Sequence, residues 1–399
     1  MIVVFGLVDY LLVLVMILLL YFTFLLFNFS QSLIWTFLRI EVFEQSGTFL
    51  EIVSVSVIPN LMGFLFSRFW GNLSDKIGNR KLFIFMGILL TSIITPAYAF
   101  YEKPLEKLAF YTLASFFAVM IYPPVNALVS TLDTRHRGGK IGSYLAYAIA
   151  GSTIGSFTGG FIISLMGYDT MYYISTITGI LASVLILGFR EPRVEKVERS
   201  FKELLQLSIK FETFGSRDLK YLTYSFFIQS LSGSLFYNLF IIKLYIIVEK
   251  DPTIYGIINS LAGFPSIFAS KIYGNLTDRI GRRKMYTIAT AIYSPYFLAL
   301  SIIDNIWIIS ILWALPIWLG VQIPAIALAT DLSSKTNVAG IQGLLQTSSS
   351  LAIIIGPTIG GLLADALNTT KNINNIQIIL YTTSILPIIS ATLAKKIVT

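Results

Sequence analysis

The side chains able to hydrogen-bond or stack sit singly inside long apolar runs. Asn28, Gln31 and Trp35 share one run, Tyr122 and Asn126 a second, Tyr144 and Tyr147 a third. Gln229, Tyr237 and Asn238 follow in another, then Trp318 with Gln322, then Gln346. Amides, phenols and indoles of this kind can hold a neutral or amphipathic small molecule through hydrogen bonds and ring contacts. Taken one at a time, the same residues also serve as glue between helices. A strongly anionic ligand, such as a sugar phosphate, would need Arg or Lys among them, and the middles of these runs carry none. Covalent and metal chemistry lack their usual parts. Cysteine is absent, His136 is the sole histidine, and neither a Walker loop nor Gly-x-Gly-x-x-Gly occurs. No catalytic residue, metal ligand or cofactor is therefore assigned.

The charged residues gather instead in short bridges. Gly71-Asn72-Leu73-Ser74-Asp75-Lys76-Ile77-Gly78-Asn79-Arg80-Lys81 returns 203 residues later as Gly274-Asn275-Leu276-Thr277-Asp278-Arg279-Ile280-Gly281-Arg282-Arg283-Lys284. Its glycines allow a tight turn. Asp75 and Asp278 can face the positive end of a neighbouring helix, while Arg80, Lys81, Arg282 and Arg283 can pair with acids at helix ends.

Such bridges need apolar elements on either side, and composition supplies them. Of 399 residues, 55% are hydrophobic and 13% charged, where a soluble chain carries about a quarter charged. Twelve runs are nearly charge-free, and most reach the roughly 20 residues that cross a bilayer as helix. The reading is an all-α, polytopic membrane protein of twelve transmembrane helices in two pseudo-symmetric six-helix bundles. Residues 1–15 form an apolar extension, 16–189 the first half and 220–399 the second. Between them, 190–219 is a cytoplasmic linker whose Ser200-Phe201-Lys202-Glu203 has the spacing of a capping box opening an amphipathic helix. With the bridges placed inside, Arg39, Lys103, Lys107, Lys243, Lys250 and Lys371 alone among the 29 Lys and Arg fall outside. That asymmetry puts both termini in the cytoplasm and explains the formal charge of +8 without a nucleic-acid partner. Arg39 and Glu41 are expected to snorkel at the outer surface.

The halves repeat beyond the bridge. Gly139, Gly142, Gly155, Gly159 and Gly160 map onto Gly340, Gly343, Gly356, Gly360 and Gly361 at a constant offset of 201. The bridge itself resembles the signature loop of the major facilitator superfamily, G-x-L-x-D-x-x-G-R-[KR]. Gly71, Leu73, Asp75, Gly78, Arg80 and Lys81 match in the first copy, with Asn79 where Arg is commoner; Gly274, Leu276, Asp278, Gly281, Arg282 and Arg283 match in the second. The loops are similar to those of drug- and sugar-type twelve-span members. The resemblance implies a secondary transporter working by alternating access, its cytoplasmic gate formed by the bridge residues with Asp133 and Asp331 at the inner ends of spans 4 and 10. Its partners would be the lipid bilayer and a small neutral or amphipathic solute, with the protein a monomer in the cell membrane. Export is favoured; uptake of a neutral nutrient such as a sugar, and a non-transporting sensor on the same fold, stand as alternatives. Two departures bear on coupling. Ser156 replaces the proline of the exporter signature G-x-x-x-G-P-x-x-G-G. Proton-coupled exporters also carry an arginine in span 4, where 108–132 has no charge, so a proton is left open as coupling ion.

Overall fold

In a computed structural model, the structure describes residues 2–46, 48–131, 137–191, 216–332, 338–367 and 374–397. The linker helix proposed after Ser200, together with Asp133 and His136, lies outside the described residues. Sixteen helices form among them: α1 (Ile2–Ser46), α2 (Phe49–Ile77), α3 (Arg80–Ile94), α4 (Ala97–Phe100), α5 (Pro104–Val119), α6 (Tyr122–Thr131), α7 (Arg137–Leu187), α8 (Arg217–Ile247), α9 (Pro252–Leu261), α10 (Phe264–Ile280), α11 (Arg282–Ile302), α12 (Ile306–Trp313), α13 (Ile317–Asp331), α14 (Val338–Ala366), α15 (Asn374–Thr383) and α16 (Leu386–Ala394).

Prolines explain why sixteen helices make twelve spans. Pro96, Pro123, Pro265, Pro316 and Pro387 each stand just before or within the first turn of a new helical segment, where a missing N–H costs nothing. The break between α5 and α6 is closed by tight turns, Met120 N–H to the Phe117 carbonyl and Ile121 N–H to that of Ala118, both 3.1 Å. Backbone polar groups in lipid must find partners inside the protein, and these turns provide them. Within α7 a glycine makes the break: Gly167, at φ 83° and ψ 171°, is non-helical, so the stretch Arg137–Leu187 is two helices joined by a one-residue turn between two spans. Among the described residues, ten stretches are long and apolar enough to cross a membrane. One of them, Ala146–Leu187, is 42 residues long and holds spans 5 and 6, and the broken pair α9–α10 supplies span 8. Twelve spans result.

The chain divides into two compact units, Met1–Leu38 with Leu65–Lys210, and Arg39–Phe64 with Phe211–Thr399. In the first, α3 packs on α5 and α7, and its core gathers Phe24 and Phe27 of α1, Ile84 and Ile88 of α3, Val125 of α6 and Ile186 of α7. Gly151 lies so close to the Leu25 carbonyl that no Cβ would fit. Beside it Ser32 donates to the Ser152 carbonyl at 2.7 Å and meets the Ser156 hydroxyl at 2.8 Å, with Thr36 3.0 Å from Ser156. Ser30 and Ser175 each donate to the other's carbonyl, at 2.7 and 2.9 Å. In the second unit α8 packs on α14 and α16. Ser225 and Ser390 repeat the reciprocal pairing at 2.8 and 2.6 Å. Phe236 stacks on Phe297 with centroids 4.0 Å apart, and Phe240 stacks on Trp313. Where lipid offers no hydrophobic drive between helices, such close backbones and hydroxyl pairs hold them together.

Candidate functional site

Each bridge is the end of one long helix and the start of the next. Gly78 at φ 69° and Gly281 at φ 95° make the turns, a conformation that a Cβ resists. The first four N–H groups of the helix that follows have no partner within it. In the first copy, Asn79 Oδ1 accepts from Leu82 N–H at 3.0 Å, and both carboxylate oxygens of Glu191 accept from Arg80 and Lys81 N–H at 3.0 and 2.9 Å. Lys81 Nζ reaches back to the carbonyls of Leu187 and Phe189, both at 2.8 Å, satisfying the end of α7. Sequence reasoning missed Glu191; its one signal is an acid placed where span 6 leaves the apolar run.

The second copy is built differently. Its N-cap position is Gly281, which has no side chain to cap the start of α11. Arg282 instead pairs with Asp331 and lies 3.4 Å from the Ala327 carbonyl, while Arg283 donates to the Lys395 carbonyl. Of the expected gate residues, Arg282 and Asp331 are thus in contact. Gly71 lies against Pro123, and Asp278 and Gly274 have open surroundings. The Arg282–Asp331 pair is 38% and 43% exposed, so its strength in this arrangement is about 0–1 kcal/mol.

The polar residues along the spans fall into two sets. Trp35, Tyr122, Asn126, Trp318, Gln322 and Gln346 are exposed; Trp318 Nε1 donates to Ser266 at 3.2 Å. Asn28 is half-buried and turned onto its own helix at the Phe24 carbonyl. Tyr144 is buried with its ring edge on Phe24, and Tyr147 contacts Tyr21 and Phe22. Tyr237 meets Phe297 and Trp313 edge-on, and Asn238 is buried, accepting from Ser56. Tyr144 and Asn238 therefore pack helices together in this state. Gln31 and Gln229, which the repeat brings into correspondence, share a different property. Gln31 Nε2 and Gln229 Oε1 are buried without a hydrogen-bond partner.

Four charged groups depart from expectation or escaped it. Arg39 and Glu41 do not snorkel: they are 8% and 4% exposed, because the end of α1 is itself part of the second compact unit and is packed inside it. Lys243, 2% exposed, places Nζ 2.6–3.3 Å from the Leu300, Ser301 and Ile303 carbonyls and 2.8 Å from Asp304. It neutralises the carbonyl end of α11, where a cation is favoured. Asp365 accepts from the N–H groups of Phe49 and Leu50 at 2.7 and 3.1 Å.

A repeated, helical, multi-pass membrane protein with polar residues along its spans and charged turns at their ends is the architecture of a solute carrier. The sequence profile of the Major Facilitator Superfamily matches residues 20–246 and again 222–398. The chain belongs to that family, and is a transporter of small molecules rather than an enzyme. It is 25% identical over 349 residues to the multi-drug resistance efflux pump PmrA homolog of Lactococcus lactis subsp. lactis (strain IL1403), covering 84% of each chain. It is 26% identical to the multidrug resistance protein MdtG of Klebsiella pneumoniae (strain 342), covering 76% of this chain and 74% of that one. Among solved structures, a bacterial homolog of the human lysosomal transporter Spinster, inward-facing and unoccupied, superposes with a TM-score of 0.78 at 14% identity over 96% of both chains. The nucleoside transporter NupG gives 0.77 at 16% identity, over 96% of this chain and all of that one.

Proposed function

We propose that this protein exports small neutral or amphipathic compounds across the cytoplasmic membrane by alternating access, with both termini inside. The observation that carries the reading is the repeat-related pair Gln31 and Gln229. Each lies near the middle of the first helix of its half, and each keeps one buried amide atom without a partner. Buried polar groups are nearly always satisfied, and an exception calls for an explanation. A solute that offers a hydrogen bond at mid-depth supplies one, since carrier sites form there from the two repeats. The multidrug names of the relatives favour export and a broad range of amphipathic compounds. The remaining cavity residues, among them Trp35, Tyr122, Asn126, Trp318, Gln322 and Gln346, would contribute ring faces and amides. At the inner ends, Gly71, Asp75, Gly78, Arg80, Lys81 and Asp133 would form the gate with Gly274, Asp278, Gly281, Arg282, Arg283 and Asp331 in a monomer, with a proton left open as coupling ion.

The test is accumulation of chloramphenicol and of ethidium in a drug-susceptible host expressing the chain. Lower accumulation than in the empty host is expected, and Gln31→Ala and Gln229→Ala should raise the KM for chloramphenicol about 3- to 10-fold, the loss of one hydrogen bond. Unchanged accumulation of both compounds would sink the export reading.

A further inference from the structure

Helix α2 begins in a carboxylate borrowed from α14. Thr48, just before it, donates its hydroxyl to Glu51. Asp365 accepts with both oxygens from the first amides of the helix, Phe49 N–H and Leu50 N–H. One helical turn earlier on α14, Gly361 lies against Val53, the Leu50 backbone and the Phe49 carbonyl, with no room for a Cβ. Farther along the same seam Ser56 donates to Asn238, Tyr245 donates to Glu44, and Lys250 sits over the Phe43 ring at 5.9 Å. These contacts fasten Arg39–Phe64 to the helices of Phe211–Thr399, although the same two helices, α1 and α2, continue into the other unit.

We propose that Asp365 is a latch, a positioning residue of the transport cycle that holds the leading turn of α2 on α14 in one state and releases it in the other. The proposal rests on the alternating-access reading above. Three features suit a contact that must open. The acid is half-exposed, so water can replace both amides as they leave. Gly361 puts no side chain into a socket on α2, so the two backbones can part without dragging one out. The bonds are short and charge-assisted, which makes the closed position well defined. Loss of a helix cap shifts such an equilibrium by about 2- to 30-fold, enough to change populations without unfolding the chain.

The absence of cysteine makes the test direct. Val53→Cys, at a position 1% exposed beneath the latch, would be alkylated by a water-soluble maleimide only when the seam opens. In the purified full chain, labelling should run about 3- to 10-fold faster with Asp365→Ala. Asp365→Asn, which keeps one acceptor but no charge, should fall between. Ile88→Cys, in the core of the other unit, should label at one rate in all three backgrounds. If Ile88→Cys also speeds up with Asp365→Ala, that variant is loosened throughout, and the Asn variant decides by the same comparison. Equal labelling of Val53→Cys with Asp365 and with the deciding variant would overturn the latch. Chloramphenicol transport in proteoliposomes is read in parallel, with kcat expected to change and KM to hold. A chain that transports nothing yet labels as described would defeat the export reading alone.

Discussion

Ser156 shows how one side chain can replace another without serving the same end. Exporters of this family carry a proline there, which would bend the helix; in this chain the hydroxyl joins Ser32 and Thr36 of α1 instead. Ser156→Ala should cost about 1 kcal/mol, in line with other hydrogen bonds between membrane helices. Ser156→Pro should cost more, since it also loses a backbone donor. Denaturant unfolding in detergent would measure both. Glu191 makes a similar case. Removing it in Glu191→Ala leaves the Arg80 and Lys81 amides uncapped, with an expected loss of about 1 kcal/mol by the same measurement. Neither role could be read from the chain beforehand. A serine among apolar residues announces a hydrogen bond but not its partner, and the partners here are over 100 residues away in sequence. Arg39 and Glu41 misled for the same reason, since being close to a span end does not say what covers that end.

At the scale of helices, legibility was high where the signal was local. Apolar length gave the spans and the two-copy bridge gave their pairing, because both depend on neighbours in sequence. The breaks at Pro96, Pro265, Pro316 and Pro387 follow the same local rule. The turn inside α7 was visible only as the gap between runs, and Gly167 carries it at φ 83° with empty space around the position of a Cβ. Gly167→Ala should therefore destabilise through backbone strain alone, by about 1 kcal/mol. Gly151→Ala should be worse, about 1–3 kcal/mol, because the added methyl would force α7 off the Leu25 carbonyl. Thermal unfolding of the two variants would order them; the reverse order would mean that turn geometry outweighs packing.

For the whole molecule, the repeat invites the expectation of two equal halves, and the bridges depart from it. The first copy is closed on itself by Glu191 and Lys81, whereas in the second Arg282 holds Asp331. The gate reading assigns Asp75 to a charge that matters in one state of the cycle only. Asp75→Asn should then slow chloramphenicol efflux about 10-fold, with yield and unfolding unchanged; full rates in proteoliposomes would dismiss the assignment. The candidate solute site was legible as a composition, amides and rings where charges are missing. Which of its members stay unsatisfied, Gln31 and Gln229, depends on packing that a sequence does not display.

The reciprocal serine pairs have a consequence for biosynthesis. Ser30 with Ser175, and Ser225 with Ser390, sew the first span of each half to its sixth. While a half is still emerging from the ribosome, its opening helix waits in lipid with that seam unstitched. The Ser30–Ser175 seam can close once the sixth span enters the membrane. Assembly would then proceed in two strokes, one for each stitched half.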